Sequence, residues 1–413
     1  MIQASQRGTT TCRGCGQESL SSVLDLGNQP LSNELVIDPT IEPEAFPLHF
    51  RICTECGLGQ VGEFVLPERI FGRDYPYLSS TSTSWVQHAR NYATDMTDRL
   101  GLAHGELVVE IASNDGYLLK GFLAAGQRVL GIEPAQNVAE MARAAGVSTI
   151  SEFWGAEVAA RVLAENGHPR LIAANNVMAH VPDLHDFVSG LALMCGPETL
   201  ITVENPSMMN MLHEAQFDTI YHEHFCYLTA SAVRFVAAQH GLDLVDVQEL
   251  STHGGSNRYH LRRAGVTTPA KSVASLIEHE RAQGLFDADV WARFTADSRA
   301  SIAAVSDWLD ERTRRGNSVA GYGAAAKGNT LLNAVGDPAR HISYVVDGSV
   351  AKQGKFLPGP QIRVLAPSYL TEAPADEVLI LPWNLAAELT PIIRSLSPTS
   401  RIWVPRPRVE QVG

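Results

Sequence analysis

Short apolar runs separated by helix-length stretches occur in two sets along this chain, and that alternation limits its fold more than any other feature. The first set is Leu107-Val-Val-Glu-Ile111, Arg128-Val-Leu-Gly-Ile132, Leu171-Ile-Ala-Ala174 and Thr199-Leu-Ile-Thr-Val203. The second is Ser318-Val-Ala-Gly321, Ile342-Ser-Tyr-Val-Val346, Glu377-Val-Leu-Ile-Leu381 and Arg401-Ile-Trp-Val404. Runs of this length, joined by helices, build doubly wound parallel sheets. The expected fold is α/β, with two such units in tandem. Helical stretches are expected over 85–102, before the first unit, and over 269–315, before the second. A chain of 413 residues exceeds one ordinary core, and residues 1–75 form a third, turn-rich part.

That first part carries two C-x-x-C pairs, Cys12-Arg-Gly-Cys15 and Cys53-Thr-Glu-Cys56. Each offers two thiolates to one ion, and together they make a closed tetrahedral site with no position left for solvent or substrate. Gly14, Gly16 and Gly57 allow the tight turns around it. The expectation is structural zinc held by Cys12, Cys15, Cys53 and Cys56; the alternative is two redox pairs or unrelated thiols.

Composition excludes more than it identifies. The net charge is −13, and the chain has no Lys/Arg run, which argues against nucleic acid as a partner. No stretch approaches the roughly 20 apolar residues of a membrane span, and residues 1–13 lack the apolar core of a signal peptide. A cytoplasmic monomer with its six cysteines reduced is expected.

Val108-Val-Glu-Ile-Ala-Ser-Asn-Asp-Gly-Tyr-Leu-Leu119 reads as a strand, a tight loop and a helix start. It is not the dinucleotide G-x-G-x-x-G. Glu110 lies inside the strand, Gly116 is the loop's one glycine, and Glu133 ends the next strand, where a carboxylate accepts ribose hydroxyls. The pattern resembles the E-x-G-x-N-D-G loop of class I S-adenosylmethionine methyltransferases, with Ala112 in place of the first glycine. That resemblance makes Glu110, Ala112, Asn114, Asp115, Gly116, Leu118, Glu133, Pro134 and Asn175 candidate cofactor residues. Phe153 and Trp154 are candidates for an adenine wall or, alternatively, ordinary core packing.

Two polar clusters interrupt the apolar pattern: Asn175-Asn-Val-Met-Ala-His-Val-Pro182 and Phe217-Asp-Thr-Ile-Tyr-His-Glu-His-Phe225. The first follows a sheet strand, at the end where open α/β sheets bind ligands. Asn176 and His180 stand four apart and share a face on a helical turn. A metal on His222, Glu223 and His224 is a weaker alternative, because adjacent side chains diverge and the run is not H-E-x-x-H.

With these motifs together, the chain resembles end to end the zinc-containing sugar C-methyltransferases of deoxysugar pathways. The resemblance rests on the four-cysteine module, the N-D-G loop, N-x-x-x-H-x-P, E-H-F, His253-Gly-Gly-Ser256 and Tyr322-Gly-Ala-Ala-Ala-Lys327. It implies a zinc module (1–75), a class I methyltransferase Rossmann-like domain (76–265) and a second Rossmann-like domain that binds the nucleotide sugar (266–413). It implies transfer of the S-adenosylmethionine methyl group to C3 of a dTDP-linked 4-keto-6-deoxysugar through an enolate. His224 is then the base, with His222 the other candidate, since an acidic residue stands at that position in some members of the family. Tyr221, Glu223, His180 and Asn176 position the sugar and stabilise the enolate, and Tyr75 or Tyr77 covers the pocket. Histidine suits removal of a proton beside a carbonyl, and the developing oxyanion needs donors already in place.

The second α/β unit contains G-x-G-x-x-A in Ala320-Gly-Tyr-Gly-Ala-Ala-Ala-Lys-Gly-Asn329, with Asp347 closing the next strand. From its residues alone this is a dinucleotide fingerprint, and an NAD(P)-dependent oxidoreductase is the rival reading. The resemblance assigns the loop to the substrate's diphosphate instead, with Ser80, Tyr322, Gly323, Lys327, Asp347, Lys355, Trp383 and Asn384 as substrate residues. Both readings put phosphate on the same helix N-terminus, and each lysine is alternatively a solvated surface charge. Two further alternatives are a methyltransferase for a non-sugar acceptor and a degenerate one acting only as a binding protein.

Overall fold

The computed structural model describes residues 10–72, 75–406 and 408–413, without the side chain of His253. At the N-terminal end, β1 (Leu20–Pro30) and β2 (Ala45–Cys53) form an antiparallel hairpin extended by β3 (Gly59–Gln60). The C-x-x-C turns lie at one end of it. A short helix, α1 (Pro67–Ile70), follows.

The middle of the chain opens with α2 (Thr83–Leu100), whose N-cap Ser82 accepts from the Trp85 N–H. Trp85, Ala89, Tyr92, Ala93 and Met96 are its buried stripe. The helix ends two residues earlier than the sequence suggests, because Gly101 takes the left-handed conformation, φ 58°, and closes the last turn. Then come β4 (Leu107–Ile111), α3 (Leu119–Ala124), β5 (Arg128–Ile132), α4 (Gln136–Ala144), β6 (Thr149–Ile150), α5 (Ala156–Asn166), β7 (Leu171–Asn175), α6 (Leu184–Met194) and β8 (Leu200–Pro206). After α7 (Met208–His213), β9 (Cys226–Tyr227) and α8 (Ala230–Gln239), the hairpin β10 (Leu242–Leu250) and β11 (Ser256–Arg263) returns to the same sheet.

The sheet order is β10-β11-β8-β7-β4-β5-β6, with β11 antiparallel to β8 and the strands from β8 to β6 parallel. All five residues of β4 are buried, as are all five of β7, which is the burial of a sheet covered on both faces. The chain reverses its direction of travel across the sheet between β4 and β7. The carboxyl ends of those two strands are therefore the switch point where such sheets bind ligands.

The 269–315 stretch forms two helices, α9 (Lys271–Ala282) and α10 (Ala288–Arg314), broken where Gly284 adopts φ 87°. Val273, Leu276 and Ile277 of α9 join the core of the seven-stranded sheet. Trp291, Phe294 and Val305 of α10 share a core with Phe50 of β2 and with the last unit. That unit comprises β12 (Val319–Tyr322), α11 (Ala326–Val335), β13 (Ile342–Val346), β14 (Val364–Leu365), α12 (Tyr369–Glu372), β15 (Glu377–Ile380), α13 (Ala386–Leu396), β16 (Arg401–Val404) and β17 (Glu410–Val412). Its order is β14-β13-β12-β15-β16-β17, with only β17 antiparallel. Its switch point lies between β12 and β15, so the Gly323 loop and the Trp383-Asn384 turn face one crevice.

β9 is the exception to this modular arrangement. It belongs by sequence to the middle of the chain, yet it pairs with β3 in the N-terminal sheet, Gly59 opposite Tyr227 and Gln60 opposite Cys226.

Candidate active site

The four thiols that the sequence pairs come together. Cys12 Sγ is 3.5 Å from Cys56 Sγ, Cys15 Sγ is 3.5 Å from Cys53 Sγ, and all four lie within 4.8 Å of one another. Tetrahedral zinc thiolate needs sulfurs about 3.8 Å apart, so the cluster fits the ion. Without a cation the group is electrostatically crowded. Hydrogen bonding to Cys53 together with burial pushes the Cys12 thiol up to about 12, and Cys12 and Cys53 push Cys56 up as well. A dication removes that cost.

The loop after β4 is tightly wound. Ala112, Asn114 and Gly116 all have positive φ, at 56°, 49° and 76°. A side chain at Gly116 would meet Val147 Cγ2 at 2.9 Å, so glycine is required there on two counts. Glu133 braces the loop, accepting from the Asn114 N–H at 2.9 Å and the Ala135 N–H at 2.9 Å. Burial pushes its carboxyl up to about 7. Glu110 is fully buried nearby and held well above the usual carboxylate range, first by burial and then by Glu133 and Asp115. Asp115 Oδ1 is buried without a hydrogen-bond partner. Asn175, at the end of β7, is hydrogen-bonded to Tyr117.

The Tyr75–Tyr77 segment lies over this loop. The Ser79 N–H donates to Asn114 Oδ1 at 2.8 Å, Asn114 Nδ2 donates to the Tyr77 carbonyl, and Asn137 Nδ2 donates to the Tyr75 carbonyl at 3.0 Å. Leu118 is buried beneath it. Trp154 is fixed elsewhere: its Nε1 donates to the Phe187 carbonyl of α6, while Phe153 is exposed. Ser80 is exposed and lines a groove between α2 and α3. Pro134 links β5 to α4 beside Glu133. Asp74, next to the covering tyrosines, lies outside the described residues.

The second polar cluster folds back on itself. His224 Nδ1 donates to the Thr219 carbonyl at 2.9 Å, so that in the neutral ring Nε2 is the unprotonated nitrogen, 2.8 Å from the Tyr221 hydroxyl. The two rings are 4.0 Å apart, and the His180 ring meets His224 edge-on at 4.7 Å. Phe71 packs on both His180 and Tyr75, each at 5.5 Å. Burial drops His180 to about 4, so it is neutral near pH 7. Asn176 stands at φ 52° directly after β7, with its N–H on the Glu204 carbonyl. His222 turns the other way, into the N-terminal sheet, its Nε2 3.2 Å from the Phe46 carbonyl. Burial lowers His222 to about 4 as well. Glu223 is buried and accepts from Asn33 Nδ2 at 2.7 Å; burial raises its carboxyl to about 7, against the pull of Asn33 and Lys352.

Three parts of the chain therefore reach one site: Asn33 and Phe46 from the first, the 217–227 loop from the second and Lys352 from the third. The sequence gives no periodic or motif signal for Asn33, which sits in an irregular turn after β1.

Three family models match successive stretches of the chain. Residues 12–71 match the family model described as "Putative zinc binding domain", residues 85–247 the methyltransferase domain, and residues 251–403 the C-methyltransferase C-terminal domain. Over 384 residues the chain is 35% identical to the C-methyltransferase NovU of Streptomyces niveus, covering 92% of this chain and 90% of that protein. The chain belongs to the zinc-containing, S-adenosylmethionine-dependent C-methyltransferases. Among solved structures, magnesium protoporphyrin IX methyltransferase from Synechocystis PCC 6803 is 15% identical over 48% of this chain and 89% of that one, TM-score 0.34. The CcbJ methyltransferase of Streptomyces caelestis is 12% identical over 43% and 90%, TM-score 0.34. Likenesses this low carry no conclusion about this chain.

A C-methyltransferase needs a place for a cofactor with a sulfonium and an ammonium group. The buried acids Glu110, Asp115 and Glu133 suit such a cation, and Asp115 keeps an acceptor for it. The glycine loop of the last unit is as tightly built as the loop after β4. Gly323, at φ 89°, passes so close to Pro382 that a side chain would sit 2.6 Å from its ring. Asp347 accepts from the Ala324 and Ser349 N–H groups, each at 2.7 Å, with Lys352 Nζ 3.7 Å away. Lys327 Nζ donates to Asn384 Oδ1 at 2.9 Å and lies over the Trp383 ring. Tyr322 is buried below the loop, and Lys355 is half-buried beyond Lys352.

Proposed function

We propose that this enzyme methylates a carbon beside the ketone of a nucleotide-linked 4-keto-deoxysugar, dTDP-linked and at C3. The observation that carries the reading is the Tyr221–His224 pair. In its neutral form the His224 ring has its Nδ1 proton committed to a backbone carbonyl and its Nε2 lone pair held by a phenol. Such a nitrogen is set up to take a proton, and a C–H beside a ketone is a proton a near-neutral base can remove.

S-Adenosylmethionine, when bound by Glu110, Ala112, Asn114, Asp115, Gly116, Glu133 and Asn175, supplies an electrophilic methyl group. His224 Nε2 takes the proton from the sugar carbon as the Tyr221 hydroxyl lets go of it. Tyr221, neutral because burial holds its phenol well above the usual range, then donates to the oxygen that gains charge. Glu223, at about 7, is partly protonated near neutral pH and is a second donor to that oxygen. His180 and Asn176 hold the ring, and Tyr75 and Tyr77 keep water from the site.

His224 is favoured over His222 because His222 faces the Phe46 carbonyl, away from Tyr221. The nucleotide diphosphate is assigned to the crevice between Gly323, Lys327, Trp383 and Asn384, with Tyr322, Asp347 and Lys355 around it and Ser80 on the opposite side. We divide the chain into 1–75, 76–265 and 266–413, a reading supported by one sheet centred in each part, although β9 pairs with the first sheet and α9 packs on the middle one. Among the described residues no helix is long and apolar enough to cross a membrane.

The test is incubation of the enzyme with S-adenosylmethionine and a dTDP-4-keto-6-deoxyhexose, with the product located by mass spectrometry and NMR. One added methyl at C3 supports the proposal. A methyl at C5, the other carbon beside a 4-ketone, keeps the chemistry and corrects the position. No transfer to any nucleotide-linked keto-sugar, with transfer to a free carbon acid, overturns the substrate class.

A further inference from the structure

The carbonyl that orients His224 belongs to Thr219, the last residue of a 3-10 turn, Phe217–Thr219. The same carbonyl also accepts from the Tyr227 hydroxyl at 3.2 Å. Asp218, beside Thr219, is fully buried, and a carboxylate there demands partners. The polar partners of its side chain come from the last unit. Trp383 Nε1 donates to Asp218 Oδ2 at 2.6 Å, and Arg406 Nε lies 3.4 Å from Asp218 Oδ1.

Arg406 is itself buried and stacks on the Phe217 ring at 5.2 Å and the Trp383 ring at 5.9 Å. Its Nη2 donates to the Glu214 carbonyl at the start of the same loop. Trp383 in turn carries Lys327 over its face at 4.9 Å. A continuous line of contacts therefore runs from the crevice of the last unit, through Trp383 and Arg406, to Asp218, the Thr219 carbonyl and the His224 ring.

We propose that Asp218 is a positioning residue: clamped by Trp383 and Arg406, it fixes the 217–219 turn so that His224 is held as the Nδ1–H tautomer with Nε2 facing Tyr221. The inference rests on reading His224 as the base. It adds that the last unit, beyond holding substrate, sets the state of that base from the far side of the cleft. An imidazole ring has two tautomers that differ little in energy in water, and a single hydrogen-bond acceptor selects between them. Loosening the turn that carries the acceptor removes the selection without removing any group that touches substrate.

The test uses the full-length zinc-loaded enzyme with Asp218→Ala, Asp218→Asn and Trp383→Phe variants. Calorimetric binding of S-adenosylmethionine identifies the variants that fold. Nitrogen NMR of 15N-histidine protein, with the His224 signals assigned by their loss in His224→Gln, reads the tautomer without any sugar. The expected result is a single Nδ1–H tautomer in wild type and a mixture in Asp218→Ala and Trp383→Phe. Asp218→Asn, which keeps an acceptor for the indole, stays closer to wild type. With substrate, kcat of Asp218→Ala falls roughly 100-fold while KM stays within about threefold, the scale on which small misplacements of a catalytic group act.

An unchanged tautomer in the folded Asp218→Ala and Trp383→Phe variants overturns the inference, whatever happens to turnover. In Asp218→Ala a raised KM with unchanged kcat also overturns it, since Asp218 and Arg406 would then serve substrate binding alone. Failure of the wild type to methylate keto-sugars counts against the proposed function, while the tautomer measurement still decides this inference.

Discussion

The proposed cofactor loop and the proposed catalytic loop are built in opposite ways. The first, residues 110–116, is braced mainly from within its own sheet: Glu133 at the end of the neighbouring strand, Val147 against Gly116, and Tyr117 beyond. The second, residues 217–227, folds back on itself but is held from outside its own sheet. Its β9 pairs with the zinc-module sheet, and Arg13 of the first cysteine knuckle donates to the Phe225 carbonyl. Asn33 holds Glu223, and Trp383 with Arg406 holds Asp218. One loop is a property of a single domain, and the other exists only when three parts of the chain are assembled. A binding site for a common cofactor can be carried from protein to protein as a unit. The proposed base, which must remove a proton beside a ketone, is instead shaped by everything around it.

The largest expected effect separates the two loops outright. Replacing His224 by alanine should lower kcat by about 10²–10⁴-fold, the contribution of a positioned general base, while calorimetry finds S-adenosylmethionine affinity within about threefold of wild type. Loss of both together would mean that the loops are not independent. Next in size is the zinc module. The Cys12→Ala/Cys15→Ala protein should lose its metal, read by elemental analysis, and about 100-fold or more of its turnover, because β3 and Arg13 no longer fix β9 and Phe225. Cofactor binding should again survive; its loss would show that the module supports the whole fold rather than the catalytic loop.

Much of the cofactor loop was legible in the sequence. An apolar strand, a tight N-D-G turn and an acid at the next strand end are neighbours along the chain or one helix apart, so their pattern survives in one dimension. The strands 107–111 and 128–132 have the bounds that their apolar runs suggest. The four cysteines were legible for a similar reason, since thiols in paired C-x-x-C turns have few other uses. The catalytic cluster could be seen as an oddity, polar groups crowded between hydrophobics, but not as a geometry. Nothing in the sequence opposes Asn33 to Glu223 or Arg406 to Asp218, because those contacts span 190 residues in one case and far separated elements in the other. The two residues of β9 are too short to show a period, and the β10–β11 hairpin hid behind the expectation of a purely parallel sheet.

Smaller effects sharpen the comparison through stability. Burial raises the Glu223 carboxyl from 4.5 to about 7, so between those values the folded protein binds more protons than the unfolded chain. Stability contributed there is present at low pH and is lost as pH rises through about 7. Glu223→Gln should therefore be more stable than wild type at pH 8, by up to about 3 kcal/mol, and equal to it near pH 4.5, while its turnover falls. Thermal melts at the two pH values decide this; equal stability at both would mean that Asn33 and Lys352 already offset the burial. The smallest effect belongs to the self-contained loop. Ala112 sits at φ 56°, a conformation that costs a residue with a side chain about 1–2 kcal/mol. Ala112→Gly should stabilise the protein by about 0.5–1 kcal/mol after the entropy of the added glycine is counted, with cofactor affinity unchanged.

The most direct test of the central claim is proton removal without methyl transfer. The enzyme is held with S-adenosylhomocysteine in deuterated water, and a dTDP-4-keto-6-deoxyhexose is followed by NMR for exchange beside the ketone. Wild type should exchange that proton faster than buffer alone, and His224→Ala should reduce the rate to the buffer level. His222→Ala should retain exchange above it. Enzyme-driven exchange that persists undiminished in His224→Ala would contradict the assignment of the base to the loop that three parts of this chain build together.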